Sequence, residues 1–93
     1  MIQSWHDDLA RQILLGASPK GTPGAILKSA RRRLQQLDAA TAIEDMRTPP
    51  GNRLHALTGD RGGQWSVSVN DQYRICFIWG PNGPERVEIV DYH

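Results

Sequence analysis

One cysteine, Cys76, stands in the whole chain, so an internal disulfide is excluded. Its place in the apolar run Ile75-Cys76-Phe77-Ile78 predicts a buried thiol, as suits a reducing cytoplasm. No stretch of about 18 apolar residues is present, which argues against a membrane span and a membrane partner. The first residues, Met1-Ile2-Gln3-Ser4-Trp5-His6-Asp7-Asp8, lack the basic start and apolar centre of a signal peptide, and a cytoplasmic address is expected. Charge of one sign is also missing. The formal net charge is +1, so bulk electrostatics announce no polyanion partner. No Walker-type phosphate loop, dinucleotide-binding glycine motif or serine nucleophile elbow occurs. One cysteine with His6, His55 and His93 gives no metal-ligand spacing, so neither a metal, a cofactor nor a covalent nucleophile is expected. Aromatic residues make up only 6% of the chain, and Trp5, Trp65, Trp79, Phe77 and Tyr73 are expected to supply much of the core.

What is present fits one domain over residues 1–93. A domain of this size buries roughly two-thirds of its unfolded surface, enough for a single core. Ser4 and Asp7 have capping-box spacing for a first helix, with Trp5, Leu9 and Ile13 along one face and Gly16 as its stop. Thr22-Pro23 reads as N-cap and first residue of a second helix, whose stripe is Leu27, Ala30, Leu34 and Leu37. Lys28, Arg31, Arg32 and Arg33 crowd that helix, as a solvated face or a phosphate contact. Thr41 and Glu44 predict a short capped turn near Ile43 and Met46, and Pro49-Pro50-Gly51 closes the helical half.

The period then changes from helix to strand. Arg53–Leu57 reads as a short strand, followed by a glycine-rich turn through Gly63. Gln64–Val69 alternates, with Trp65, Val67 and Val69 on one side and Gln64, Ser66 and Ser68 on the other. Asn70-Asp71 turns into Tyr73–Trp79, apolar on both faces after Arg74 and therefore central. A last strand runs Glu85–Asp91. The fold class is α+β: two N-terminal helices packed on a three- to four-stranded antiparallel sheet.

Polar groups stand at odd places in this pattern. His55 interrupts Leu54 and Leu57, Arg74 opens the central strand, and Asp91, Tyr92 and His93 follow Val87 and Ile89 where more apolar residues would continue the strand. If the strands pair side by side, these groups converge as a carboxylate, two imidazoles, a phenol and a cation. That set suits metal-free cleavage of RNA. One group takes the proton of a ribose 2′-OH, a second protonates the leaving 5′ oxygen, and an arginine holds the charge that grows on the phosphoryl oxygens. Histidine fits both proton roles. Plainer readings stand beside this one. His55 would be a half-exposed strand residue bonded to a loop, Arg74 a surface partner of Glu88 worth about 0.2–1 kcal/mol, and the final triplet a frayed end. His6, beside Asp7 and Asp8, reads as a solvated helix start.

Four ordered segments carry a resemblance. Arg53-Leu54-His55-Ala56-Leu57-Thr58-Gly59-Asp60-Arg61 resembles the RLHxLxGDR segment of HigB-type toxins of bacterial toxin–antitoxin pairs. Gly63–Asn70 and Tyr73–Phe77 are similar to the GxWSIxVNxxWRIxF segment that follows it there. Leu34–Thr41 is similar to RLxxLDAAT, and Val87–His93 ends on the family's DYH. The resemblance implies a RelE/ParE-like fold and a ribosome-dependent mRNA endoribonuclease, or mRNA interferase, that inhibits translation. It further implies a HigA-like helix-turn-helix antitoxin as partner and, through it, operator DNA. His55, Asp91, Tyr92, His93 and Arg74 fall on the family's functional positions, and Arg53 and Arg61 are candidate RNA phosphate contacts. Thr58 stands where many members carry lysine, which removes one cation near His55. The alternatives are a toxin of the same fold that inhibits DNA gyrase without catalysis, and a degenerate member that binds antitoxin and DNA. His55 and the terminal triplet favour the nuclease, since a pure binder needs no acid/base pair.

Overall fold

The structure is a computed structural model and describes residues 1–91. Two helices, α1 (Asp8–Leu14) and α2 (Gly24–Ala39), precede a four-stranded antiparallel sheet of β1 (His55–Ala56), β2 (Trp65–Ser68), β3 (Tyr73–Gly80) and β4 (Gly83–Asp91). The strands lie in chain order, so β2 and β3 are interior; short turns join β2 to β3 and β3 to β4, and a longer loop with a helical turn at Gly59–Arg61 joins β1 to β2. This is the expected α+β arrangement, and no helix among the described residues is long and apolar enough to cross a membrane.

The helix starts differ from expectation. Asp7 caps α1, its carboxylate accepting from the Leu9 amide at 3.1 Å, while Ser4 serves the sheet instead. Its hydroxyl accepts from the Arg86 amide at 2.9 Å, and Trp5 forms a parallel bridge with Val87. Ser4 and Trp5 are thus paired as extended chain along β4, which supplies the backbone groups that a first helical turn would leave without partners. Gly16, at φ +98°, ends α1 as expected: its amide and that of Ala17 return to the Ile13 and Gln12 carbonyls in a Schellman turn. In α2, Pro23 holds the cap position with extended ψ, one residue beyond the expected start. The buried stripe is Ile26, Ala30, Leu34 and Leu37, with Leu27 only partly covered. Asp45 rather than Glu44 closes the turn over Ile43–Arg47, by accepting from the Thr41 and Ala42 amides.

That stripe packs with Ile13 and Met46 against Val67, Ile75, Phe77 and Val87 of the sheet. Phe77 is fully buried, but Trp5, Trp65, Trp79 and Tyr73 are only partly covered, so the core is mainly aliphatic. The indole rings are too large for the interior of so thin a two-layer domain and cover its margins instead. The basic cluster of α2 is largely committed to backbone. Arg31 donates to the Ile13 and Ala17 carbonyls, and Arg33 donates to the Ser68 carbonyl. These guanidinium groups fasten α2 to α1 and to β2, and the phosphate reading of the run loses two of its members.

Candidate active site on the open sheet face

Strand register decides which side chains share the face away from the helices. His55 pairs with Ser66, Ser66 with Cys76, and Cys76 with Glu88. Because side chains alternate along a strand, these four form one row across all four strands on the side opposite Phe77 and Val67. Arg74 lies on the same side, between Ser68 and Val90. Strands stand about 4.8 Å apart, so the row spans roughly 14 Å from His55 to Glu88.

At one end, Arg53, Leu54, His55 and Arg74 line an open depression of about 410 Å³. β1 is only two residues long, shorter than expected, because Arg53 adopts the left-handed conformation (φ +48°) where the chain leaves the short turn Pro50–Asn52. Buried Asn52 anchors that turn by donating to Gln36 Oε1 at 2.9 Å and to the Met46 carbonyl at 3.1 Å. The anchor fixes where β1 begins, and so where His55 stands. Nothing in the local pattern marks Asn52, since its role depends on Gln36 and Met46 and not on its neighbours in the chain. His55 is exposed, which leaves its imidazole open to a ligand. Arg74 is partly buried and donates to Ser66 Oγ at 2.6 Å, so its guanidinium is held beside the depression. Ser66 was missed too, although its place two residues from an arginine's cross-strand partner was a usable signal.

The depression concentrates Arg53 and Arg74, with no carboxylate among its described lining residues. Chemically it offers a fixed cation and an imidazole to one small anionic group, such as a phosphodiester. Asp91 is not on this side. It pairs with Tyr73, on the parity of Ile75 and Phe77, and accepts from Gln72 Nε2 at 3.2 Å. Tyr92 and His93 lie outside the described residues. The expected convergence is therefore seen for His55 and Arg74, while Asp91 stands at the end of β4 on the other side of the sheet.

At the opposite end of the row, a second depression of about 380 Å³ is lined by His6, Asp60, Arg61, Gln64, Arg86 and Glu88. Glu88 is central to it. Its carboxylate accepts from Arg61 Nη1 at 2.8 Å and faces His6 Nε2 at 3.1 Å. Arg61 also donates to Gln64 Oε1 at 3.0 Å. Arg61 therefore lies in the hollow away from His55, and Glu88 is held by Arg61 and His6 rather than by Arg74. Between the two hollows sits buried Cys76, whose thiol pKa is pushed up chiefly by desolvation. Arg61 and Arg74 nearby oppose that shift, and Glu88 reinforces it.

Comparison with known proteins resolves the family. A family model described as the RelE-like toxin of the type II toxin–antitoxin system HigB matches residues 3–93. The chain belongs to the HigB toxin family. Toxin HigB-1 of Vibrio cholerae is 47% identical over 84% of this chain and 75% of its own length. Endoribonuclease HigB of Proteus vulgaris is 30% identical over the full length of both chains. An uncharacterized protein of Haemophilus influenzae is 32% identical over 86% of this chain and 80% of its own. As the toxin of a type II pair, this HigB chain has an antitoxin partner. Its two helices and four-stranded sheet are consistent with the RelE-like fold of the family.

Proposed function

We propose that this HigB-family toxin is an endoribonuclease that cuts mRNA on the translating ribosome and so stops protein synthesis. The observation that carries the proposal is the exposed His55 imidazole beside the anchored Arg74 guanidinium in one hollow. The similarity to Endoribonuclease HigB of Proteus vulgaris supports the same reading. In the reaction, a base takes the 2′-OH proton and the 2′ oxygen attacks the adjacent phosphorus. The bond to the 5′ oxygen breaks, that oxygen takes a proton from an acid, and a 2′,3′-cyclic phosphate remains. Arg74 holds the charge that grows on the non-bridging oxygens, where one such donor is worth about 10²–10³ in rate. His55, Asp91, Tyr92 and His93 are the proton-transfer candidates, and general acid–base groups contribute about 10²–10⁴. Arg53 is a further phosphate contact at the rim, and Arg61 is assigned to phosphate less directly because Glu88 already engages it. The proposal places the toxin in the cytoplasm with a HigA-like helix-turn-helix antitoxin, through which it reaches operator DNA.

Substituting His93 by alanine tests the reading. Cleavage of a reporter mRNA in a translation extract is expected to fall at least about 100-fold while antitoxin binding and thermal unfolding stay unchanged. Full cleavage by the variant would remove His93 from the chemistry. No cleavage of any mRNA by the unaltered chain would overturn the enzyme reading in favour of a toxin that acts by binding.

A further inference from the structure

We propose that Arg61 is a positioning residue for His55: with Glu88 and His6 it forms a side-chain strap that holds the loop after β1 against the sheet. The effect on rate rests on the RNA-cleaving reading above, while the strap itself is tested without cleavage.

β1 needs such a brace. It has two residues and two pairs, His55 with Ser66 and Ala56 with Trp65. Ordering the backbone of a residue costs at least as much as one hydrogen bond returns, so a ladder this short does not hold its own place. Its upstream flank is anchored by Asn52. Its downstream flank is the loop 57–64, in which Thr58, Gly59, Asp60, Gly62 and Gly63 are all exposed. Bonds within the loop close it on itself: the Leu57 amide donates to the Gln64 carbonyl at 2.9 Å, and the Gln64 amide to the Arg61 carbonyl at 3.0 Å. Those bonds shape the loop without aiming it. Two side chains tie it to the rest of the molecule, buried Leu57 and Arg61.

Arg61 reaches across the sheet. Its Nη1 donates to Gln64 Oε1 at 3.0 Å, in its own loop, and to Glu88 Oε1 at 2.8 Å, on β4. The loop that leaves the first strand is thereby joined to the last strand, past β2 and β3, and Cys76 between them is fully buried. The far end of the strap is fixed. The Glu88 side chain is only 10% exposed, and its second oxygen faces His6 Nε2 at 3.1 Å, so the carboxylate is held from both sides. His6 is itself placed by backbone. Between the pairs Cys76–Glu88 and Ile78–Glu85 the strands fall out of register, so Arg86 and Val87 stand against Phe77 alone. This is a β-bulge, and Arg86 within it has φ +52°. At the bulge the Arg86 amide donates to Ser4 Oγ at 2.9 Å and the Val87 amide to the Ser4 carbonyl at 3.2 Å. The His6 amide then donates to the Val87 carbonyl at 3.1 Å, which lays the N-terminal segment down with His6 beside Glu88.

The test compares R61M, E88Q and the double variant R61M/E88Q in the full chain. R61M keeps the apolar stem and removes the donors. Its Leu57 amide is expected to exchange with solvent at least about tenfold faster than in the unaltered chain, with the amides of α2 unchanged. In a translation extract its kcat for a reporter mRNA is expected to fall about tenfold while KM moves less than about twofold, because His55 is displaced and no RNA contact is lost. The double variant is expected to be no slower than R61M alone, since Arg61 acts through Glu88. An Arg61 that met RNA directly would instead raise KM when removed, and E88Q would lower KM by freeing it. That pattern, unchanged exchange at Leu57 in R61M, or losses from R61M and E88Q that multiply would overturn the strap. Faster exchange at Leu57 in R61M, with no cleavage by the unaltered chain, would overturn the nuclease reading and support the strap.

Discussion

The two hollows on the open sheet face differ in what their charges are doing. Around His55 and Arg74, the lining among the described residues has cations and no acid. Around Glu88, acid and base are interleaved, and the most buried carboxylate is closed off by Arg61 and His6. A net charge of +1 describes neither. What matters for an anion is the field within a few ångströms, because solution ions screen charges farther off than about 8–10 Å. The first hollow therefore presents a local positive field to an anion, while the second largely balances its charges internally.

The largest expected contrast is between the two central residues. Arg74→Ala is expected to reduce mRNA cleavage about 10²–10³-fold, read in a translation extract, because it removes the guanidinium proposed to hold the scissile phosphate. The same change is expected to move the midpoint of urea unfolding only slightly. Glu88→Ala is expected to act on the fold instead, costing about 1–3 kcal/mol in the same unfolding experiment by leaving Arg61 and His6 without their shared carboxylate. The lower part of that range is favoured, since the side chains of Arg61 and His6 are 38% and 61% exposed and water recovers much of their loss. A large stability loss from Arg74→Ala, with none from Glu88→Ala, would reverse the assignment of the two hollows.

How much of this was readable beforehand follows from which forces act locally. The sheet was legible because period-two patterning in Gln64–Val69 and the Asn70-Asp71 turn are near-neighbour effects. The ends of elements were not: Ser4 has helix-cap chemistry, yet pairing of Trp5 with Val87 across 82 residues of chain prevailed. His55 and Arg74 stood out as polar residues in apolar strands and do share a hollow. His6 was read as solvated because nothing near it in sequence reveals that the N-terminal segment runs beside β4 and brings it to Glu88. Asp91 looked like company for His55, but strand parity sets it with Tyr73. Arg86 carried no signal, since a bulge with a left-handed arginine is a property of two strands together.

A smaller effect probes how Arg74 is held. Ser66→Ala removes the oxygen that accepts from Arg74 at 2.6 Å but leaves the guanidinium present. One hydrogen bond to a charged donor is worth about 1.5–3 kcal/mol at most when buried, and less at this partly exposed site. A three- to tenfold fall in kcat/KM is expected, about 1 kcal/mol, and it is to be rescued by Ser66→Thr, which keeps the hydroxyl. A loss as large as that of Arg74→Ala would mean that Ser66 itself meets the substrate.

The smallest effect separates acid sensitivity of the fold from that of cleavage. The Asp45 carboxyl is held below its ordinary value of 3.8 chiefly by backbone amides of Thr41 and Ala42, and Asp8 is held below it chiefly by Arg11 and then Gln12. For a carboxyl whose folded pKa is depressed, the stabilisation is fully present above the unfolded pKa and is lost as pH falls through the folded one. The window therefore lies below about pH 4, well beneath the range in which an imidazole near pH 6.5 changes charge. Substituting both by asparagine (D8N with D45N) is expected to flatten the acid limb of a thermal-stability profile and to leave the cleavage profile above about pH 5 unmoved. Both carboxylates lie in the helical layer and neither lines the His55 hollow, so a shift of the cleavage profile in this double variant would show that the helices, and not His55 with its neighbours, set the proton chemistry.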